Sequence, residues 1–190
     1  MEAAGKKKYT QEQYLELERK ATNKSEYYQG DVFAMSGASW NHNIISSNLL
    51  AILHFRLKGK SCRPLASDMR IHIPLNTLYT YPDIVVVCGE PEFLDNEFDT
   101  LLNPIFIVEV LSFSTMDYDR GKKFLFYRSI PTLKEYWTIS SQEYRLEKYV
   151  KNEADNTWIF AETVVLTDHV LIPSLQLTVP LEEIYEGVKF

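Results

Sequence analysis

The stretch Ile105-Phe106-Ile107-Val108-Glu109-Val110-Leu111 carries a single charged residue in an otherwise apolar run. Short runs rich in β-branched residues are typical of strands that are covered on both faces of a sheet. A carboxylate buried in such a strand without a partner costs several kcal/mol. Glu109 therefore requires a compensating metal, cation or proton close to it.

A second apolar run, Ile84-Val85-Val86-Val87, predicts another central strand, and Asp83 lies where this strand meets the preceding loop. Acidic residues on two neighbouring strands can converge on one point. Hard oxygen ligands of this kind suit Mg²⁺ or Mn²⁺. Lys122 and Lys123 open the helix predicted after Glu109, and either of them could bring an ammonium group to the same point.

Each of these residues also has a simpler interpretation. Asp83 follows Pro82 and could be a turn residue, Glu109 could pair with a buried arginine, and Lys123 could be a solvated helix residue. The combination of a strand-borne Asp, a strand-borne Glu and a following Lys favours a functional site over three separate coincidences.

The rest of the chain predicts an α/β or α+β protein with a mixed sheet of central strands and two substantial helices. The sequence favours a short helix from Thr10 to about Lys20 and a long helix that begins at Ser39 or Asn41 and ends near Lys58. The remaining predicted elements are two strands turning at Gly30, a half-buried strand at 69–73, a helix at 119–129, strands at 136–139, 145–150 and 158–160, and a helical turn at 181–185.

Length and composition predict one soluble globular domain. The chain has 190 residues, of which 45% are hydrophobic and 24% charged, and this excludes intrinsic disorder and a coiled coil. The net charge of −6 argues against a protein held to nucleic acid by bulk electrostatics. This net charge is still compatible with a nucleic-acid enzyme that has a bound metal and a local basic rim. The candidates for that rim, each of which could equally be solvated surface, are Arg56, Lys58, Lys60, Arg63, Arg120 and Arg128.

Cysteine usage and hydropathy predict a cytoplasmic protein with no membrane span. Cys62 and Cys88 lack the close spacing of a zinc site, and two cysteines do not make a disulfide framework. The longest stretch without Asp, Glu, Lys or Arg is Val32–Phe55, and its asparagines and serines make it too polar to cross a bilayer.

The order of the acidic and basic residues resembles that of the PD-(D/E)XK nuclease superfamily. Pro82-Asp83, Val108-Glu109-Val110-Leu111-Ser112 and Asp119-Arg120-Gly121-Lys122-Lys123 carry the resemblance, which is closest to the Uma-type restriction endonuclease family. Further segments resemble that family in the same order, namely Glu26–Val32, Ser36-Gly37, His42-Asn43, Ser67–Arg70, Glu135–Trp137 and Ser174-Leu175. The resemblance implies one restriction-endonuclease-like domain over residues 1–190, with its core at about 9–185 and a mixed β-sheet flanked by helices.

The same resemblance implies a metal-dependent endonuclease that hydrolyses phosphodiester bonds in DNA with Mg²⁺ or Mn²⁺. Asp83, Glu109 and the backbone carbonyl of Val110 would hold the metal, and Glu26 matches an additional acidic ligand. The lysine of the usual (D/E)XK pattern falls at Leu111. The family instead has a lysine in the following helix, which matches Lys123.

Two departures from the family pattern lie close to these residues. Lys122 occupies a position that is often Glu in the family, so the choice between Lys122 and Lys123 stays open. Phe113 occupies a position that is often Pro, which is expected to alter only the local turn.

The matching segments add accessory candidates with open alternatives. His42 is expected to contact phosphate, to act as an acid or base, or only to support a helix start. Asp68 could orient a metal-bound water, but pairing with Arg70 is favoured. The hydroxyl groups that could donate to a phosphate, or merely to the loop backbone, are those of Ser112, Ser114 and Thr115.

Two residues of the predicted helix at 119–129 receive structural roles. Asp119 is expected to cap that helix rather than to bind metal. Tyr127 lies one turn after Lys123 and could hold that side chain in place, but core packing is the favoured interpretation for it.

Two other functions remain open at this stage. The chain could be an inactive nuclease-fold protein that serves as a nucleic-acid-binding or interaction module, as Leu111 allows. It could also be a glycosidase that uses Asp83 and Glu109 as acid and nucleophile or base, although only three tryptophans are available for a sugar cleft. A homodimer is expected if both strands of DNA are cut.

Overall fold

The computed structural model describes residues 7–113 and 116–190. Its helices are α1 (Gln11–Glu18), α2 (Trp40–Leu57), α3 (Met116–Tyr118), α4 (Phe124–Tyr127) and α5 (Leu181–Ile184), and a π-helical turn, Asp119–Lys123, joins α3 to α4. Its strands are β1 (Ser25–Tyr28), β2 (Asp31–Ala34), β3 (Cys62–Ala66), β4 (Arg70–Ile73), β5 (Leu78–Thr80), β6 (Ile84–Cys88), β7 (Thr100–Leu101), β8 (Phe106–Leu111), β9 (Glu135–Ser140), β10 (Leu146–Lys151), β11 (Trp158–Thr163), β12 (His169–Ile172) and β13 (Leu177–Pro180). The fold is mixed α+β, as the sequence predicts.

A six-stranded sheet with the order β11-β10-β9-β8-β6-β3 forms the centre of the molecule. The two apolar runs become its neighbouring strands β6 and β8, which pair antiparallel with Ile84 opposite Val108. Strand β8 runs parallel to β9 on its other side. Every residue of β8 is buried, so the prediction of a strand covered on both faces is confirmed.

Alternation along β8 divides its side chains between two cores. Val108 and Val110 face the cluster that contains Ile45 and Leu49 of α2. Ile107 belongs to the cluster on the other face, beneath α4. Because side chains alternate along a strand, Glu109 follows Ile107 on that second face.

A second sheet, with the order β2-β1-β5-β4-β7, supports the N-terminal helix. Thr10 and Gln13 form the predicted capping box of α1. Tyr14 of α1 packs against Tyr27 and Tyr79 of this sheet, with ring centroids 5.1 and 5.4 Å apart. The contact anchors α1 beside the strands that carry Glu26 and Thr80.

Strand β4 is wholly buried, whereas the sequence predicts a half-buried strand. The alternating polar residue Arg70 lies inside because its guanidinium group lies 2.9 Å from Asp99 and donates to Thr100 and Tyr81. The favoured pairing of Asp68 with Arg70 is therefore wrong. Asp68 is exposed and pairs with Lys24 at 3.0 Å.

The hairpin of β12 and β13 was not predicted from the sequence. Its residues Val170, Ile172 and Val179 complete the core on the α2 side of the central sheet. Glu135 of β9 accepts hydrogen bonds from the backbone and hydroxyl of Ser174 between the two strands. These bonds fix the hairpin against the sheet.

Cys62 and Cys88 are joined by a disulfide, a pairing that was not predicted from the sequence. They lie 26 residues apart in sequence, but the antiparallel register of β3 and β6 sets them opposite each other. Cysteine usage therefore no longer supports the predicted location in a reducing cytoplasm, and that location remains a prediction. None of the helices in the described ranges combines the length and hydropathy needed to cross a membrane.

The buried ring of His72, on β4 of the second sheet, makes the stability of the fold depend on pH. It stacks on Tyr79 at 4.1 Å, and neither ring nitrogen bonds to a residue within 7–113 or 116–190. Burial lowers the pKa of His72 to about 4. The folded state therefore favours the neutral ring, so stability is complete above the unfolded pKa of about 6.5 and is lost as the pH falls toward 4.

We expect the free energy of unfolding to fall by about 2 kcal/mol at pH 5 relative to pH 7.5 through this residue. Urea unfolding of a His72→Phe variant should lack that part of the loss, while His54→Phe, at an exposed position of α2, should retain it. Equal pH dependence in wild type and His72→Phe would contradict the assignment.

Candidate active site

Asp83 is fixed at the start of β6 by two contacts to one oxygen. Its Oδ2 accepts a 2.7 Å hydrogen bond from the backbone N–H of Val110 on β8. The same Oδ2 lies 3.2 Å from Nε2 of His42, in the first turn of α2. The residue thus joins the two central strands and the long helix at one place.

Glu109 is buried on the neighbouring strand with two donors on one oxygen. Its Oε1 lies 2.9 Å from Nζ of Lys123 and accepts a 2.5 Å hydrogen bond from the hydroxyl of Tyr127. Glu109 is only 4% exposed and Lys123 7%. The cation that compensates Glu109 is therefore a lysine, rather than the arginine considered as an alternative.

The helical segment after β8 turns every fourth side chain toward Glu109. Asp119, Lys123 and Tyr127 recur every four residues and form one buried face, with Lys123 at the end of the π-helical turn. Lys122 is exposed, and its ammonium lies 4.9 Å from the ring centre of Tyr28. The structure therefore brings Lys123, and not Lys122, to Glu109.

Two further carboxylates surround Lys123. Oε1 of Glu26, on β1, lies 3.4 Å from Nζ of Lys123 and also accepts a hydrogen bond from the hydroxyl of Thr80. Oδ1 of Asp119 lies 3.6 Å from the same ammonium. Since Asp119 lies inside the helical segment and faces Lys123, the expectation that it caps the helix is wrong.

These groups open into a cleft of about 800 Å³. The described residues that line it include five acidic residues but only two lysines. The acidic residues are Glu26, Asp68, Asp83, Glu109 and Asp119, and the lysines are Lys24 and Lys123. The excess of negative charge would repel a phosphate and attract a divalent cation.

Burial and neighbouring charges shift the pKa values of the buried groups. Burial raises the pKa of Glu109, and the ammonium of Lys123 partly offsets that rise. Burial alone would lower the pKa of Lys123, but Glu109 and the groups around it raise it well above its ordinary value. Burial, followed by the charge of Glu109, raises the pKa of Tyr127. Glu109 thus contributes to the shift of both neighbouring groups.

The donor set fits a hard divalent cation. No group of three His, Cys, Asp or Glu side chains among residues 7–113 and 116–190 is arranged as a complete metal site. Mg²⁺ does not need one, because it keeps several waters and is commonly bound through one or two carboxylates. Asp83 and Glu109, with Val110 beside them in the cleft lining, are oxygen donors of that kind.

The accessory candidates lie at different distances from this centre. His42, Asp68 and Ser112 line the cleft, but Asp68 points to solvent and contacts Lys24. Ser114 and Thr115 lie outside the described residues. The candidate rim residue Arg120 lies 2.8 Å from Glu147, so its charge is already paired.

Tyr127 contacts Glu109, whereas the sequence favoured a role in core packing. Its ring does pack there, next to Tyr136, but its hydroxyl donates to the buried carboxylate. The spacing of four residues from Lys123 was the available signal, since residues four apart share one helix face.

Comparison with known proteins assigns the sequence to a family. The sequence model of the Uma2 family, described as "Putative restriction endonuclease", matches residues 11–181. The chain belongs to the Uma2 family. The matched range contains every carboxylate of the cleft and Lys123.

Two relatives of this Uma2 chain come from Synechocystis sp. (strain ATCC 27184 / PCC 6803 / Kazusa). "Uncharacterized protein sll1609" is 41% identical over 162 residues, covering 85% of this chain and 91% of the relative. "Uncharacterized protein slr1290" is 36% identical over 183 residues, covering 96% and 94%. Each match spans nearly the whole of both proteins.

A solved structure resembles the Uma2 chain in fold. It is titled "Crystal structure of a putative nuclease belonging to DUF820 from Anabaena variabilis ATCC 29413 at 1.96 A resolution". The TM-score is 0.75 at 18% sequence identity, with 94% of this chain and 98% of the other covered. At that identity the likeness establishes the nuclease-like fold alone.

Proposed function

We propose that the protein is a metal-dependent endonuclease that hydrolyses phosphodiester bonds in DNA. The observation that carries the proposal is the meeting of Asp83, Glu109 and Lys123 in one cleft, from two adjacent strands and a helix. Membership of the Uma2 family and the nuclease-like fold support the same reaction class.

Asp83 and Glu109, with the carbonyl of Val110, would hold Mg²⁺ or Mn²⁺, and Glu26 is the candidate for an additional ligand. When bound, the metal supplies an activated water and a polarised phosphate. His42 and the N–H of Val110 hold the carboxylate of Asp83 in one orientation. A fixed carboxylate avoids reorganisation during the reaction.

Lys123 supplies positive charge where negative charge develops on the phosphate. Its ammonium is held by Glu109, Glu26 and Asp119 and lines the cleft. Ser112, also in the lining, is a candidate donor to a phosphate oxygen. A homodimer, which would supply two clefts for the two strands of a duplex, stays a prediction.

The direct test is cleavage of plasmid and circular single-stranded DNA by the purified chain. We expect cleavage with Mg²⁺ or Mn²⁺ and none with excess chelator. Calorimetric titration of Mn²⁺ should give a binding signal that is lost in Glu109→Ala. Equal heats in wild type and variant would remove the metal site, and absence of cleavage on both DNAs would refute the proposed reaction.

A further inference from the structure

Two aromatic side chains line the cleft and remain partly open to solvent. Phe33, on β2, is 46% exposed, and Tyr118, at the end of α3, is 37% exposed. Both lie in the same lining as Asp83 and Glu109. The lining of the cleft thus combines carboxylates with apolar ring surface.

Two more aromatic residues adjoin the lining in sequence and are even more exposed. Trp40 is 78% exposed and lies two residues before His42, while Phe113 is 85% exposed and directly follows Ser112. We call Phe33, Trp40, Phe113 and Tyr118 the rim aromatics. Single exposed apolar residues are common on proteins, but two of these four line the cleft and the other two are close in sequence to residues that line it.

The charges of the cleft provide little attraction for a DNA duplex. Of its two lysines, Lys24 is paired with Asp68 at 3.0 Å and Lys123 with Glu109 at 2.9 Å. The whole chain carries a net charge of −6. The shortage of free cations disfavours both forms of DNA, but each phosphate contact contributes more to duplex binding than to single-strand binding. This surface therefore needs a source of affinity other than phosphate contacts.

Stacking on aromatic side chains is such a source, and it acts on unpaired bases. In a duplex each base face is already stacked on its neighbours, whereas a single strand can present its bases to protein rings. We propose that the rim aromatics stack on unpaired bases and that the substrate of this cleft is single-stranded DNA. The inference rests on the proposed function, since it concerns the strand that the same carboxylates would cut.

Binding is measured by fluorescence anisotropy of a labelled oligonucleotide, single-stranded or annealed to its complement, with Mg²⁺ and the Asp83→Asn variant to keep the DNA intact. We expect the single strand to bind at least about tenfold more tightly than the duplex. Trp40→Ala and Phe113→Ala should each weaken single-strand binding by about fivefold to a hundredfold, the loss that one base stack represents.

A matched control comes from the same helix as Trp40. Phe55 is also 78% exposed but lies at the other end of α2, so Phe55→Ala should leave binding within about twofold. The conservative Trp40→Phe variant should restore most of the affinity, because it keeps a stacking ring. Far-ultraviolet circular dichroism confirms that each variant is folded.

The outcomes separate this inference from the proposed reaction. If the duplex binds as tightly as the single strand, or if Trp40→Ala and Phe113→Ala both bind like wild type, the inference is wrong even where DNA is cleaved. If single-stranded DNA binds through the rim aromatics but wild type cleaves neither DNA, the stacking on unpaired bases is upheld, and the proposed hydrolysis fails together with the role of that DNA as substrate.

Discussion

Replacing Asp83 by asparagine is expected to slow DNA cleavage by about a thousandfold or more, which corresponds to about 4 kcal/mol of lost transition-state stabilisation. Asparagine has nearly the same shape, and its carbonyl can still accept the hydrogen bond from the Val110 N–H. What it lacks is the negative charge that would hold a divalent cation. The rate of plasmid or single-strand cleavage at saturating Mg²⁺ measures the effect.

A surface aspartate provides the control for this substitution. Asp155 also accepts a hydrogen bond from a backbone N–H, that of Thr157 at 3.0 Å, but it lies in the turn between β10 and β11. Asp155→Asn should leave the cleavage rate within about twofold. Cleavage by Asp83→Asn at the wild-type rate would show that the activity comes from another site or from a contaminant.

Replacing Lys123 by methionine is expected to lower the free energy of unfolding by about 3–5 kcal/mol at pH 8. The substitution leaves Glu109, which is 4% exposed, without its ammonium partner and next to Glu26 and Asp119. Burial then favours the protonated form of Glu109, so its pKa in the folded state rises further above the unfolded value. The penalty is therefore small at low pH and grows as the pH rises from about 4.5.

Urea unfolding at pH 5 and pH 8 tests this dependence. The neighbouring Lys122→Met removes an exposed ammonium and should cost less than about 0.5 kcal/mol. The double variant Lys123→Met/Glu109→Gln removes both charges and should regain part of the lost stability at pH 8. A loss of the same size at both pH values, or one matched by Lys122→Met, would show that the buried charge pair is not the cause.

The central sheet and its two acidic positions could be predicted because they depend on local pattern. Ile84–Val87 and Ile105–Val108 are short, apolar and rich in β-branched residues, and that combination is typical of strands buried on both faces. The hairpin of β12 and β13 was missed although its strands are no shorter than β1 and β2, which were predicted. Pro173 follows β12 directly and Pro180 ends β13, and proline within or beside a short run argues against a strand.

Contacts within the site depended on tertiary geometry that pattern does not contain. Lys123 rather than Lys122 reaches Glu109 because the helix face that it shares with Asp119 and Tyr127 is the face that docks on the sheet. The pairing of Cys62 with Cys88 follows from strand register, and Arg70 meets Asp99 rather than Asp68 because β4 lies beside β7. Each of these outcomes requires knowing which elements are neighbours.

The ammonium of Lys123 is carried by the helical segment, whereas Asp83 and Glu109 belong to the central sheet, where Leu111 occupies the position of the lysine in the (D/E)XK pattern. Sliding the helix by one turn would displace the ammonium by about 5.4 Å and leave Asp83 and Glu109 where they are. The distance between the ammonium and Glu109 is consequently set by how this helix docks on the sheet, so a substitution in the helix–sheet contact can change the charge pairing while the strands keep their register.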